Sequence, residues 1–121
     1  MNSIFAVLLF LRLAGIPCTV QFMSVSGYDN STGAPPYQGL TASGAITQKG
    51  VCACSPDLPF GTMLFVDGVG WLQCLDRGGL VIRGFVDVWV ESEDEAWEFG
   101  RSTRSVIIVR PGGSYRGEER R

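Results

Sequence analysis

Short apolar runs broken by glycine and proline dominate this chain, and most of them end too soon to form helices. Gln21–Gly27 reads as a first strand. The stretch from Tyr28 to Gln38 reads as a loop, because Asn30-Ser31-Thr32-Gly33 and Pro35-Pro36 punctuate it. Thr41-Ala42-Ser43-Gly44 leads into a short second segment, and Val51-Cys52-Ala53-Cys54 is a strand that stops at Ser55-Pro56. Met63–Val66 and Gly70–Leu75 form a hairpin around Asp67-Gly68, Val81–Arg83 and Phe85–Val90 follow, and Ser105–Val109 closes the set.

The pattern predicts one short helix in the chain. Ser92-Glu93-Asp94-Glu95 is a capping box in which the Ser92 hydroxyl accepts from the Glu95 backbone N–H and the Glu95 side chain reaches back. Ala96, Trp97 and Phe99 supply an apolar stripe, and Gly100 supplies a left-handed stop. Many short strands, one helix and glycine-rich corners predict an all-β fold built as a small closed barrel. The N-terminal apolar run Ile4–Phe10, with Leu11, is too short to span a bilayer. It reads as an export signal or uncleaved anchor. An N-terminal strand, or a start codon placed too far upstream, is the alternative, since no basic residue precedes the run and Arg12 interrupts it. The expected organisation is therefore an extension over 1–20, a barrel domain over 21–111 and a polar tail over 112–121.

Composition narrows the function. With 45% hydrophobic and 18% charged residues in 121, the chain folds as one domain, burying roughly 60–65% of its unfolded surface. A net charge of −2 excludes the basic face of a nucleic-acid binder. Histidine is absent, which removes Ser-His-Asp and Cys-His nucleophile systems and imidazole metal sites. The four cysteines, Cys18, Cys52, Cys54 and Cys74, lack a Cys-x-x-Cys spacing, so no structural metal site is expected. Any catalysis must run on carboxylates.

Two acids stand in unusual company. Asp76 opens Asp76-Arg77-Gly78-Gly79 directly after a strand, and Asp87 lies eleven residues later inside Phe85-Val86-Asp87-Val88-Trp89-Val90. A half-buried carboxylate among β-branched neighbours is costly unless something pairs with it. The two glycines are expected to let the chain turn sharply and a ligand approach the backbone. Strand alternation puts Val86, Val88 and Val90 on one face, the natural barrel interior, and Phe85, Asp87 and Trp89 on the other. A carboxyl flanked by two aromatics suits a sugar ring, and apolar surroundings favour the protonated form that a general acid needs.

The order of the motifs resembles the 3D domain, named for three aspartates, which is related to the catalytic barrel of membrane-bound lytic transglycosylase A. The resembling residues run from Ser24 to Val109. They are Thr41-Ala42-Ser43-Gly44, Val51-Cys52-Ala53 with Pro59-Phe60-Gly61-Thr62, Asp76-Arg77-Gly78-Gly79, Arg83-Gly84, Val86-Asp87-Val88-Trp89, and Glu95-Ala96 with Phe99-Gly100. The compact spacing, with Cys54 ahead of the Pro-Phe-Gly-Thr turn and Cys74 just before Leu75-Asp76, is similar to versions encoded by bacteriophages and prophages. The family's first aspartate falls at Ser55, with Asp57 two residues on, and Arg83-Gly84 sits one place later than the family's basic-Gly pair.

The resemblance implies a six-stranded double-psi β-barrel and a lytic transglycosylase acting on the glycan strands of peptidoglycan. In that chemistry one acid/base protonates the glycosidic oxygen. It then takes the proton of the sugar's own C6 hydroxyl, which attacks C1 and leaves a 1,6-anhydro product. No water, metal or cofactor takes part. Asp87 matches the acid/base and Asp76 would stabilise charge on the sugar. Thr41, Ser43, Ser55, Arg83 and Trp89 would contact substrate. A hydrolase would instead use Asp76 and Asp87 as a pair.

A Cys54–Cys74 bridge would clamp the acid turn to the neighbouring strand and imply an oxidising compartment, with Cys52–Cys74 as the close alternative. The chain is accordingly expected to be a monomer that is secreted or held in the cell envelope, with no transmembrane span and no nucleic-acid partner. A non-catalytic glycan-binding barrel of the expansin type, or a phage structural component, is the alternative.

Overall fold

A computed structural model describes residues 3–32 and 39–112. The Pro35-Pro36 turn and all but the first residue of the expected tail lie outside the described residues. The elements are α1 (Ile4–Leu13), β1 (Thr19–Tyr28), β2 (Val51–Cys54), β3 (Met63–Val66), β4 (Gly70–Asp76), β5 (Phe85–Trp89), α2 (Glu93–Phe99) and β6 (Ser102–Val109), with a 3₁₀ turn at Asn30–Thr32.

The six strands close into a barrel in the order β1-β5-β2-β4-β3-β6. Two pairings, β1–β5 and β2–β4, are parallel and four are antiparallel. This is the mixed, closed, six-stranded architecture expected of a double-psi barrel. Closure leaves no edge strand exposed. The interior holds Met23, Val25, Cys52, Cys54, Leu58, Leu64, Val66, Leu72, Cys74, Val86, Val88, Val106 and Ile108. Val86 and Val88 point inward as alternation requires. Truncating a fully buried member such as Leu64 to alanine would cost about 2–5 kcal/mol, because so small a core cannot collapse around the hole.

α2 starts at its expected cap, Ser92 Oγ accepting from Glu95 N–H at 3.1 Å, while the Glu95 side chain reaches back one residue past the cap, Oε1 accepting from Glu91 N–H at 2.8 Å. Gly100 ends it with φ of 64°. The helix lies so close to β1 that a Cβ on Gly27 would meet Phe99 Cβ at 3.4 Å.

Three features depart from the sequence pattern. Val81–Arg83 forms no strand; it belongs to the loop joining β4 to β5, where Val81 is buried and Ile82 exposed. The short segment expected after Thr41–Gly44 forms no strand; Thr41–Gly44 is a turn flanked by a single bridge between Leu40 and Ile46. The apolar N-terminal run is a second helix, α1, capped by Ser3 and packed through Ile4 and Leu11 onto Phe65 and Ile107 on the outside of the barrel.

Candidate functional site

The central strand of the site is β2. Ala53 pairs with Asp87 of β5 on one side and with Asp76 of β4 on the other. Directly paired residues share a sheet face, so both carboxylates stand on the outer face, separated by one small side chain. Two strand spacings put their Cα atoms about 10 Å apart. Ala53 and both acids line one open cleft of about 550 Å³, with Tyr28, Leu40, Arg77 and the 78–81 loop completing it. That volume is in the range of small-molecule sites.

A bulge makes this possible. In β4 the pairing with β2 shifts between Cys52↔Cys74 and Ala53↔Asp76, so Leu75 is the extra residue. Cys74 is fully buried in the core, and regular alternation would send Asp76 inward with it. The bulge re-aims Asp76 into the cleft. Ser43 N–H donates to the carbonyl of Leu75 at 3.1 Å, tying the 41–45 turn to the bulged residue.

The two acids are held differently. Asp76 accepts from Tyr28 Oη at 2.7 Å, Ala42 N–H at 2.8 Å and Arg77 N–H at 2.8 Å. Asp87 accepts from Ser26 Oγ, its register partner in β1, and has no other hydrogen-bond partner among the described residues. Burial, reinforced by the hydrogen bond to Asp76 and its negative charge, pushes the Tyr28 phenol well up. Tyr28 therefore remains a donor at any physiological pH.

Arg77 works on the rim. Its guanidinium donates to the carbonyls of Leu58 at 3.0 Å and Cys54 at 3.4 Å, and it lies over the Phe60 ring at 4.1 Å. It pins the 54–60 loop against the acid turn. Desolvation lowers its pKa, opposed by Asp57 and Asp76. Gly78 and Gly79 have no left-handed backbone. A Cβ on Gly78 would strike Val81 Cγ2 at 2.9 Å, whereas Gly79 faces open space in the cleft. The sharp turn expected here does form, closed by Val81 N–H donating to the Gly78 carbonyl at 3.0 Å with Gly79 at its second position, although neither glycine uses a left-handed backbone to make it. Close packing explains Gly78, and ligand access fits Gly79.

The remaining expected site residues lie around this centre rather than in it. Thr41 Oγ1 accepts from Ala45 N–H at 3.0 Å and pairs with Ser43 Oγ at 2.9 Å, so both hydroxyls stabilise the turn that feeds Ala42 N–H to Asp76. Ser55 is buried and donates to Asp57. Asp57 in turn meets the exposed Arg83 at 3.8 Å, a pairing worth little in water. Trp89 donates from Nε1 to Asn30 Oδ1 at 2.8 Å and opens onto a neighbouring cavity with Lys49, Glu95 and Glu98. Phe85 lies under Arg101, at 5.2 Å. Ser26, Tyr28 and Ala53 were not legible as site residues, because only the parallel β1–β5 pairing and the β2 register bring them to the acids.

Behind the site, Cys54 and Cys74 form a disulfide. The fully buried Cys52 sulfur lies 3.6 Å from Cys54 Sγ and 3.9 Å from Cys74 Sγ, and burial pushes its thiol up to about 12. Three cysteine sulfurs thus cluster, but two are consumed by their own bond.

No protein-family model matches the chain. Among curated proteins it is similar to the Cell wall-binding protein YocH of Bacillus subtilis (strain 168), 33% identical over 76 residues. The alignment covers 59% of this chain and 26% of that protein, so the chain spans about a quarter of the relative's length.

Proposed function

We propose that this chain is a cell-wall domain that binds peptidoglycan glycan strands in the Asp76–Asp87 cleft and cleaves them as a lytic transglycosylase. The observation that carries the reading is the unequal tethering of two carboxylates across Ala53. Asp76, held by three donors, is a fixed acceptor suited to positive charge developing on the sugar. Asp87, which lines the cleft and has Ser26 Oγ as its one hydrogen-bond partner among the described residues, can give a proton and take one back.

In the reaction, Asp87 protonates the glycosidic oxygen as the C1–O bond breaks. The same carboxylate then accepts the proton of the C6 hydroxyl as that oxygen closes on C1. The proton returns to Asp87, and the glycan is left with a 1,6-anhydro end and a free hydroxyl end, with no water consumed. Similarity to a cell wall-binding protein and a disulfide suited to an oxidising compartment support a location in the envelope or outside the cell. A monomer suffices, since one chain supplies both acids.

The test is release of soluble fragments from purified sacculi by wild-type protein and by Asp87→Asn. The second reading is a binding module without catalysis, favoured by the relative's description and by the engagement of Asp87 with Ser26. It predicts equal retention of both proteins on sacculi and no fragments from either.

A further inference from the structure

The outer face on the far side of the barrel is apolar beyond what folding needs. Register places Val20, Ile107, Phe65 and Trp71 in one row across β1, β6, β3 and β4. α1 covers the middle of the row, where Ile107 and Phe65 are buried beneath Ile4 and Leu11. Val20 and Trp71 protrude on either side of it, and Phe22 stands next to Val20 on the same face with 75% of its surface exposed. The helix that covers the row turns Phe5, Leu9, Phe10 and Leu13 outward, each more than half exposed. Exposed apolar surface that is this continuous is uncommon on a protein surrounded only by water.

Charge identifies the occupant. α1, β1 and β6 carry no acidic residue, although the chain has 12, and the first acid in the sequence is Asp29. Among the described residues, Arg12 in the last turn of α1 and Arg110 beside Cys18 lie on this side, and Asp67 of the β3–β4 turn, with Arg104 donating to its carbonyl at 3.0 Å, marks the edge. Aromatic and aliphatic side chains flanked by arginine and free of acid complement the interface of an anionic bilayer. At ten residues α1 is about 15 Å long, and no helix among the described residues is long and apolar enough to cross a membrane. It can lie in the interface.

We propose that the α1 face seats the barrel on an anionic lipid surface, with α1 parallel to the membrane and retained in the working protein. The geometry gives this docking a purpose. In the ring β1-β5-β2-β4-β3-β6, β6 is three strands from β2 in either direction, so the α1 face and the acid cleft lie on opposite sides of the barrel. A domain seated in this way turns its cleft away from the bilayer. The proposal does not depend on catalysis in that cleft.

The test is flotation of the full chain with vesicles of phosphatidylglycerol and phosphatidylcholine, compared with phosphatidylcholine alone. Wild-type protein should float with the anionic vesicles and bind neutral ones more weakly, the difference shrinking in high salt. Phe10→Asp with Leu13→Asp should lower binding at least tenfold while the Cys54–Cys74 bridge still forms, and Phe22→Ser should lower it several-fold without touching α1. Wild-type protein that stays unbound, or variants that bind as well as wild type, would overturn the proposal. So would a concentration-dependent dimer, without vesicle binding, that the same substitutions dissolve, since a second copy would then be the occupant. Protein from its natural host that lacks residues 4–13 would overturn it as well.

Discussion

Asp76 and Asp87 flank Ala53 on the outer face of the barrel, one contributed by the parallel neighbour of β2 and the other by its antiparallel neighbour. Eleven residues separate them along the chain, yet they pair with the same alanine. The consequence is a cleft with a tightly tethered acid on one side and a lightly tethered acid on the other.

Tyr28 is the side-chain support of the tethered acid. Tyr28→Phe removes the 2.7 Å hydrogen bond and leaves Asp76 with its two backbone donors. The loss should be about 1–2 kcal/mol, read as a lower urea midpoint at unchanged slope. Release of wall fragments should also fall, with binding to sacculi less affected.

Ser55 stands where the resemblance read from the sequence would place an aspartate, and its surroundings decide what an acid would do there. The side chain is buried and already donates to Asp57. Ser55→Asp would set a second carboxylate against Asp57 and remove the donor. The variant should be less stable by about 1–3 kcal/mol at neutral pH and should recover part of that at acid pH, as followed by thermal unfolding.

The two halves of the site were not equally legible in the sequence. Valine alternation around Asp87 fixes which way that side chain points, and the structure agrees because β5 is regular. Asp76 is different: it lies two residues after the buried Cys74, so alternation alone would bury it too. Only the bulge at Leu75 resolves the conflict, and a bulge depends on pairing with a strand more than twenty residues away. Ser26 and Tyr28 were hidden for the same reason, since a parallel pairing of β1 with β5 is not encoded locally. Capping chemistry, by contrast, is local, and the Ser92 cap and the helix end at Gly100 read correctly, whereas Trp97, expected in the apolar stripe, is 79% exposed. Both cysteine pairings were open at the sequence level because Cys52 and Cys54 share a face; Cys52 stands opposite Cys74, yet Cys54 makes the bond.

Alkaline pH should weaken the fold in a defined window. The Cys52 thiol has an ordinary value of 9.0 and is raised to about 12 by burial, then by the charge of Asp76. The Tyr28 phenol is raised from 10.0 by burial and then by Asp76. The folded state therefore holds these protons more tightly than the unfolded chain. Their contribution is complete below pH 9 and declines as pH rises through the window toward 12. Cys52→Ala should flatten the early part of that decline in urea titrations run at several pH values, at the expense of a small cavity.

Reduction should loosen the frame behind the cleft. The Cys54–Cys74 bridge closes a loop of 20 residues, worth roughly 3 kcal/mol in the chain-entropy account. Non-reducing peptide mapping should link Cys54 to Cys74 and leave Cys52 unmodified by iodoacetamide in the native protein, while the partly exposed Cys18 reacts.

The most direct measurement of the central claim is mass analysis of the soluble material released from purified sacculi by wild-type protein and by Asp87→Asn. The account predicts wild-type fragments with 1,6-anhydro ends, lighter by one water than hydrolysed ends. It also predicts a loss of about 10²–10⁴-fold in their release by the variant at unchanged fold. Fragments carrying hydrolysed ends, or wild-type protein that binds sacculi as tightly as Asp87→Asn and releases nothing, would contradict it.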